Sequence, residues 1–224
     1  MKQKLTETIE DYLKAIYEIT ITSERASTNR IADALCITPA SVTGMIKKLS
    51  RMEPPLVEYR SHYGVTLTEQ GHMKALEVIR HHRLLEMFLH QILGYEWDEV
   101  HAEADMLEHV ISENFEERIA KVLGNPTHDP HGDPIPNEDF QLPLTRLIQL
   151  TALRPGQKAI IQRVNDSNSE LLRYLSLLGL IPKTQLSILD YSPFDKNIHM
   201  QIIGNEKTIV LGPDISRQIF VEVI

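Results

Sequence analysis

The stretch His101-Ala-Glu-Ala-Asp105-Met-Leu-Glu108-His109 concentrates the metal-binding side chains of this 224-residue sequence. Residues three and four apart share one face of a helix, so His101, Asp105, Glu108 and His109 form a stripe of imidazoles and carboxylates. His82 and Glu86, also four apart, make a second stripe on the preceding helical stretch. Two such helices packed together can bring nitrogen and oxygen donors onto one divalent cation. A single Glu and His at this spacing ordinarily face solvent, whereas a set of this size flanking one short turn points to a metal. Three uses of that metal stay open from the residues alone: control of a binding protein, storage, or activation of water in a metal-dependent hydrolase. Against the last, the sequence offers no separate nucleophile, oxyanion loop or substrate signature, and the expectation is that the chain is not an enzyme.

The elements that must position these groups are legible from periodicity and turn chemistry. Leu5 to Ile21 places Ile9, Leu13, Ile16 and Tyr17 at helical spacing. Ser27 is an N-cap for a short second helix carrying Ile31, Ala32 and Leu35, and Thr38-Pro39 opens a third with a capping hydroxyl and a first-turn proline. Leu56 to Tyr59 and Val65 to Leu67, joined by Arg60 to Gly64, read as a hairpin. Helix, helix, turn, helix and hairpin in that order predict a winged helix-turn-helix over 1–73. Thr68 caps a long helix running to about Leu93, Trp97 to Val110 and Glu113 to Leu123 predict two more, and a Pro-rich linker follows, giving a helical domain over 74–142. Leu85, Met87, Phe88, Leu89 and Ile92 lie nearly all round the long helix, more apolar surface than one small bundle needs, which predicts a homodimer. Beyond the linker, short strands at 158–164, 185–189, 198–202, 208–211 and 219–223, with a helix at Ser169 to Leu178, predict an SH3-like β-barrel over 143–224. The fold class is therefore mainly α with a small β component.

Charge distinguishes the segments. The net charge is -8, yet residues 1–75 hold 10 Lys and Arg against 9 Asp and Glu, leaving 13 against 22 for the remainder. The first segment is the only one not strongly repelled by phosphate, and the acidic remainder suits cations. No run approaches the roughly 20 apolar residues that span a bilayer, and Met1-Lys2-Gln3-Lys4 leads into a helix with no apolar signal segment. The expectation is a cytoplasmic protein without a membrane partner. The lone Cys36 supports neither an intramolecular disulfide nor a cysteine-based zinc site.

In a helix-turn-helix the third helix enters the major groove, and its first turns reach base edges. Here those turns carry Pro39, Ala40, Ser41 and Thr43, with Lys47 and Lys48 further along, Thr28 at the start of the second helix and Arg60 at the hairpin tip. Small groups pack on thymine methyls and hydroxyls bond either way, while lysines hold the backbone. With no Arg or Asn on the exposed first turn, direct readout of double-stranded operator DNA is modest, and specificity falls to DNA shape or to several dimers acting together.

Thr8 to Glu18, Arg80 to Glu86, Glu108-His109 and the loop Pro130-His131-Gly132-Asp133-Pro134-Ile135-Pro136 together resemble the diphtheria toxin repressor family of iron and manganese regulators. The resemblance runs over nearly the whole chain. It implies a metal-dependent repressor of metal-uptake genes, with a primary site at Asp11, Asp105, Glu108 and His109 and an ancillary site at His82, Glu86 and His101. The iron-sensing branch resembles Met and Cys at the first two primary positions. Asp at both suits Mn²⁺, with Fe²⁺ the alternative and Co²⁺, Ni²⁺ or Zn²⁺ able to bind in vitro. Lys14 stands where two-domain manganese regulators carry an acidic residue bridging a metal pair, so the resemblance implies two separated sites. In the third domain it points to Arg163, which cannot be a ligand, and to Asp166 or nearby Glu170. The polar loop His128-Asp129-Pro130-His131 could also bind metal, but the expectation is a solvent-exposed loop. A cation joining Asp11 to the later ligands would fix the spacing of two reading heads; without it, the carboxylates repel.

Overall fold

The computed structural model describes residues 5–143 and 145–224. The chain forms two compact units: Met1–His82 with Glu108–Ile111 and Pro136–Gln141, and Arg83–Leu107 with Ser112–Ile135 and Leu142–Ile224.

In the first unit, α1 (Glu7–Thr22) buries Ile9, Tyr12, Leu13, Ile16 and Ile19, one apolar face at helical spacing. Ser27 accepts from Arg30 N to start α2 (Thr28–Ala34), and Thr38 accepts from Ser41 N to start α3 (Pro39–Leu49). Each cap satisfies an otherwise orphaned donor and contributes about 1 kcal/mol. Val42, Ile46 and Leu49 turn α3 onto the core. Strands β1 (Val57–Arg60) and β2 (Gly64–Leu67) pair antiparallel with Val57 opposite Leu67, and Val65 also bridges to Ala26. This ties the wing to the helices. The Thr68 hydroxyl accepts from Gly71 N and donates to Pro55 O, so α4 (Glu69–Gln91) starts against the wing. A Cβ at Gly71 would lie 1.9 Å from Leu56 O, so only glycine permits that approach. α4 continues into the second unit.

The second unit adds α5 (Val100–Leu107), α6 (Glu113–Val122) and a six-stranded antiparallel sheet around a helix. The strands are β3 (Ile148–Gln149), β4 (Lys158–Val164), β5 (Gln185–Tyr191), β6 (Ile198–Ile202), β7 (Thr208–Leu211) and β8 (Ile219–Val223), in the order β3-β8-β4-β5-β6-β7. α7 (Ser169–Leu178), capped by Asn168 and ended by Gly179 at φ 73°, covers one face, and a short α8 (Pro213–Ser216) precedes β8. Ala159, Ile161, Leu172, Leu175, Leu186, Met200 and Val221 fill the core, and Trp97 joins them from the helical segment.

The segment around α5 departs from expectation at both ends. Trp97 lies in a turn and the helix stops at Leu107, leaving residues 108–110 to turn the chain into α6, whose N-cap is Ser112. Glu108 and His109 therefore leave the helical stripe and belong to the first unit, while His101 and Asp105 remain in the second. Leu85, Met87 and Leu89 are buried within the chain's own core, whereas Ile92, Leu93, Tyr95, Met106, Phe115 and Val122 are exposed on α4 to α6 and their turns in this unit. Among the described residues no helix is long and apolar enough to cross a membrane.

Candidate metal centres and DNA-reading surface

The first cluster forms where α1 meets the turn after α5. Glu10, Asp11 and Lys14 lie within one turn of α1, and Glu108 and His109 come from the turn. His109 Nδ1 is 2.7 Å from Glu10 Oε2, and its Nε2 is 2.9 Å from Asp11 Oδ1 and 3.4 Å from Glu108 Oε1. With Nδ1–H donating to Glu10, a neutral imidazole turns the Nε2 lone pair onto the Asp11 carboxylate. Two acceptors at that separation need a proton or a metal ion between them. Donor atoms of Asp11, Glu108 and His109 all lie within 4.8 Å of one another. Imidazole nitrogen plus carboxylate oxygens, with the far ring nitrogen fixed by a carboxylate, is a donor set that fits Mn²⁺, Fe²⁺ or Zn²⁺. Burial pushes the Asp11 carboxyl up against the opposing pull of His109.

Glu108 is 2 % exposed and holds two cationic or potentially cationic partners. Lys14 Nζ donates to Oε2 at 2.8 Å and Oε1 at 3.1 Å, and His82 Nδ1 is 2.5 Å from Oε2. Burial alone would raise the Glu108 carboxyl; the His82 hydrogen bond and Lys14 charge outweigh it and hold it below its ordinary value. The repulsion expected of this carboxylate is thus already quenched from within the protein. His82, assigned by resemblance to the ancillary set, also makes this close contact with Glu108. Glu10 and the His81 Nδ1 contact to Glu108 O at 3.1 Å were not singled out as site features from sequence, and Lys14 was marked there only as the residue that replaces a bridging carboxylate. Glu10 had a signal, since it adjoins Asp11.

The second cluster lies in the second unit. Glu86, fully buried on α4, has Oε1 3.1 Å from His101 Nδ1 and Oε2 3.9 Å from His131 Nδ1. Asp166 Oδ2, just beyond β4, is 3.5 Å from His101 Nδ1. Glu86, His131 and Asp166 offer donor atoms within 4.8 Å of one another. Asp105 lies beside His101, its Oδ2 3.6 Å from Nε2 and its side chain 47 % exposed.

The expectation of a solvent-exposed loop at 128–131 is overturned: Asp129 and His131 are buried, His131 completely. Several contacts hold the loop in. Asp129 Oδ1 accepts from His131 N and Asp133 N, closing the loop on itself. His131 O accepts from Val164 N of β4. Gly132, at φ 90°, presses so closely on β4 that a Cβ would stand 1.9 Å from Gln162 O. His131 Nε2–H donates to Trp97 O at 2.6 Å, and the ring stacks on Trp97. In a neutral ring that donation leaves Nδ1, which is buried and without a hydrogen bond, as a lone pair near Glu86 and Asp129. That is the electronic arrangement of a metal-ligating histidine. The Asp129 carboxyl is raised well above its ordinary value, first by burial and then by Glu86 and Asp133, with Arg83 opposing.

A bulge in β4 explains why Asp166, and not Arg163, reaches the cluster. The register with β8 shifts between Ile161 and Arg163, so Val164 takes the buried position that strict alternation would give to Arg163. The Arg163 guanidinium lies over the Phe220 ring at 3.9 Å and donates to Asp133 at 3.0 Å. Glu170 stands in the first turn of α7.

On the DNA-reading surface, Pro39, Ala40, Ser41, Lys47 and Lys48 are exposed on α3, Thr43 is half-buried, Thr28 half-buried at the head of α2, and Arg60 exposed at the wing. The Thr43 hydroxyl donates to Pro39 O at 2.9 Å and so faces outward only as an acceptor. Gly44 lies on the same face, and a Cβ there would meet nothing within 4 Å. Gly44→Ala is therefore expected to raise the free energy of unfolding by about 0.5–1 kcal/mol in chemical denaturation. Lower affinity for DNA in that stabilised variant would report close approach of the helix backbone to the duplex.

Three family models match in tandem: the iron dependent repressor N-terminal DNA binding domain over 4–65, the iron dependent repressor metal binding and dimerisation domain over 68–137, and the FeoA domain over 148–223. The chain is 31 % identical to the iron-dependent repressor IdeR of Mycobacterium leprae, covering 97 % of this chain and 98 % of the relative. It is 30 % identical to the diphtheria toxin repressor of Corynebacterium diphtheriae, with the same shares of the two chains covered, 97 % and 98 %. Among solved structures, a manganese-dependent transcriptional repressor in complex with manganese aligns with a TM-score of 0.89 at 37 % identity, over 96 % of this chain and 100 % of that one. ScaR with bound Cd²⁺ aligns at 0.81 and 34 % identity, over 96 % and 99 %.

Proposed function

The chain belongs to the diphtheria toxin repressor family of metal-dependent transcriptional repressors, and on that premise we propose that Mn²⁺, with Fe²⁺ as alternative, switches it on as a repressor of metal-uptake genes. It is a divalent-metal-dependent, DNA-binding, dimerising regulator and not an enzyme. The finer assignments are ours. Asp11, Glu108 and His109 hold the first ion, with Glu10 orienting His109. Glu86, His131 and Asp166 hold the second, with Asp129 and His101 beside them. The DNA is read by Pro39, Ala40, Ser41 and Thr43, while Thr28, Lys47, Lys48 and Arg60 grip phosphates.

The observation that carries this reading is the Asp11–His109 pair, a carboxylate oxygen and a ring nitrogen 2.9 Å apart, with the opposite ring nitrogen 2.7 Å from Glu10. When bound, a divalent ion supplies the positive charge that lets these donors share one point. Asp11 belongs to the same helix layer as the reading head, so its engagement with His109 fixes α1, and through the α1 core the attitude of α3. In a dimer this sets the spacing of two recognition helices, which must match half-sites on one DNA face. The preference for Mn²⁺ rests on a donor set without sulfur. The exposed Ile92, Leu93, Met106, Phe115 and Val122 support a dimer face in the helical region.

The test is fluorescence anisotropy of a labelled promoter duplex at fixed salt with Mn²⁺, Fe²⁺, Zn²⁺ or chelator. Affinity is expected to rise about 5–150-fold with the physiological metal. Equal affinity in chelator and in every metal would sink the reading, and metal binding without any effect on DNA would instead favour storage.

A further inference from the structure

The first centre contains a cation of its own. Lys14 reaches across from α1, its side chain only 14 % exposed, and its Nζ lies within 3.1 Å of both oxygens of Glu108 and 3.0 Å from His82 Nδ1. Glu108 is at the same time one of the three residues whose donor atoms converge with Asp11 and His109. One carboxylate thus serves two cations: a fixed ammonium on one side and the metal on the other.

We propose that Lys14 is a tethered competitor that sets the affinity of the first centre and confines it to a single ion. This rests on the reading of Asp11, Glu108 and His109 as metal ligands. The physical argument is electrostatic. Two cations sharing one carboxylate repel each other, and burial keeps solvent from screening them. Both Glu108 oxygens are already engaged by donors, so a metal ion must share an oxygen with Lys14 and meet its positive charge at short range. The same ammonium lies against both His82 Nδ1 and Glu108 Oε2, a carboxylate and an imidazole in contact with each other that would otherwise be open to a second ion. In return, Lys14 holds α1 to the Glu108 turn independently of metal. A cell benefits from such a brake when the sensor must ignore trace metal and answer only a raised level.

The experiment compares full-length wild type with Lys14→Met, which keeps the stem and removes the charge, and with Lys14→Arg, which keeps the charge. Mn²⁺ affinity and stoichiometry are read by electron paramagnetic resonance of the free ion, and thermal unfolding is followed in chelator. Lys14→Met is expected to bind Mn²⁺ about tenfold more tightly at the first centre, to take up one additional ion per chain at high Mn²⁺, and to unfold at lower temperature in chelator. Lys14→Arg should keep wild-type affinity to within about threefold, since the charge is retained. A folded Lys14→Met with unchanged or weaker Mn²⁺ binding would overturn the proposal and leave Lys14 a structural ion pair. Asp11→Asn in the same titration separates the two ideas: if it binds Mn²⁺ as wild type does, the first centre is misassigned and both fall; if it loses that ion, the Lys14 comparison decides.

Discussion

Asp11→Asn is expected to reduce operator affinity in saturating Mn²⁺ to the level that wild type shows in chelator, a loss of about 5–150-fold, the range of typical coupling free energies. The substitution keeps the size and shape of the side chain and removes the charge that an ion requires, so the helix and its buried face should survive. Three observations make the effect large. Asp11 Oδ1 is the acceptor nearest to His109 Nε2, at 2.9 Å. Lys14 and His82 already neutralise Glu108, so Asp11 supplies the charge for the metal that is least committed elsewhere. Asp11 is also the one ligand of this set on the reading-head helix. Because coupling is reciprocal, wild type should bind Mn²⁺ more tightly when operator is present, by the same factor, and Asp11→Asn should lose that gain as well. Circular dichroism of the variant checks that the helices remain. An Asp11→Asn protein that still gains DNA affinity on adding Mn²⁺ would remove the basis for the switch.

How much of this was legible in the sequence follows from the range of the interactions. Caps, periodicity and turn residues act over a few positions, and the elements they specify, such as Thr38-Pro39 opening α3 and the alternation of β6 and β7, stand where expected. The α5 boundaries did not follow, because a His, Asp, Glu pattern at helical spacing says nothing of the turn needed before Ser112. The ligand residue types were likewise readable, but the full set of contacts they make was not. His82 and Glu86 are one turn apart on α4, yet His82 bonds Glu108 while Glu86 meets His101 and His131. The loop at 128–133 is the clearest case. Its polar, Pro-rich composition is that of an exposed linker, and its burial depends on Gly132 fitting β4 and His131 reaching Trp97 O, contacts between residues about 30 positions apart. Likewise, alternation along β4 points Arg163 inward, and only the bulge turns it out toward Asp133.

Burying Asp129 and His131 carries the second large expectation. His131→Ala should lower the number of Mn²⁺ ions bound per chain by one, because it removes the buried Nδ1 donor that converges with Glu86 and Asp166. The pH dependence of that ion should be set by Asp129. Burial first, and the neighbouring Glu86 and Asp133 next, hold its carboxyl well above the ordinary range. The folded chain therefore keeps a proton there that the unfolded chain has released, so ionising Asp129 costs folding stability as pH rises. A cation arriving beside it offsets that charge and expels the proton. Mn²⁺ affinity at the second centre should consequently climb with pH until Asp129 is ionised without metal, and calorimetry in buffers of different ionisation enthalpy should register proton release on binding. In Asp129→Asn the released proton and the steep pH dependence should both disappear, and thermal stability in chelator should rise at alkaline pH, where wild type carries the buried charge. His131→Ala retaining the full complement of ions, or Asp129→Asn retaining the wild-type proton release, would place the second ion elsewhere than beside this loop.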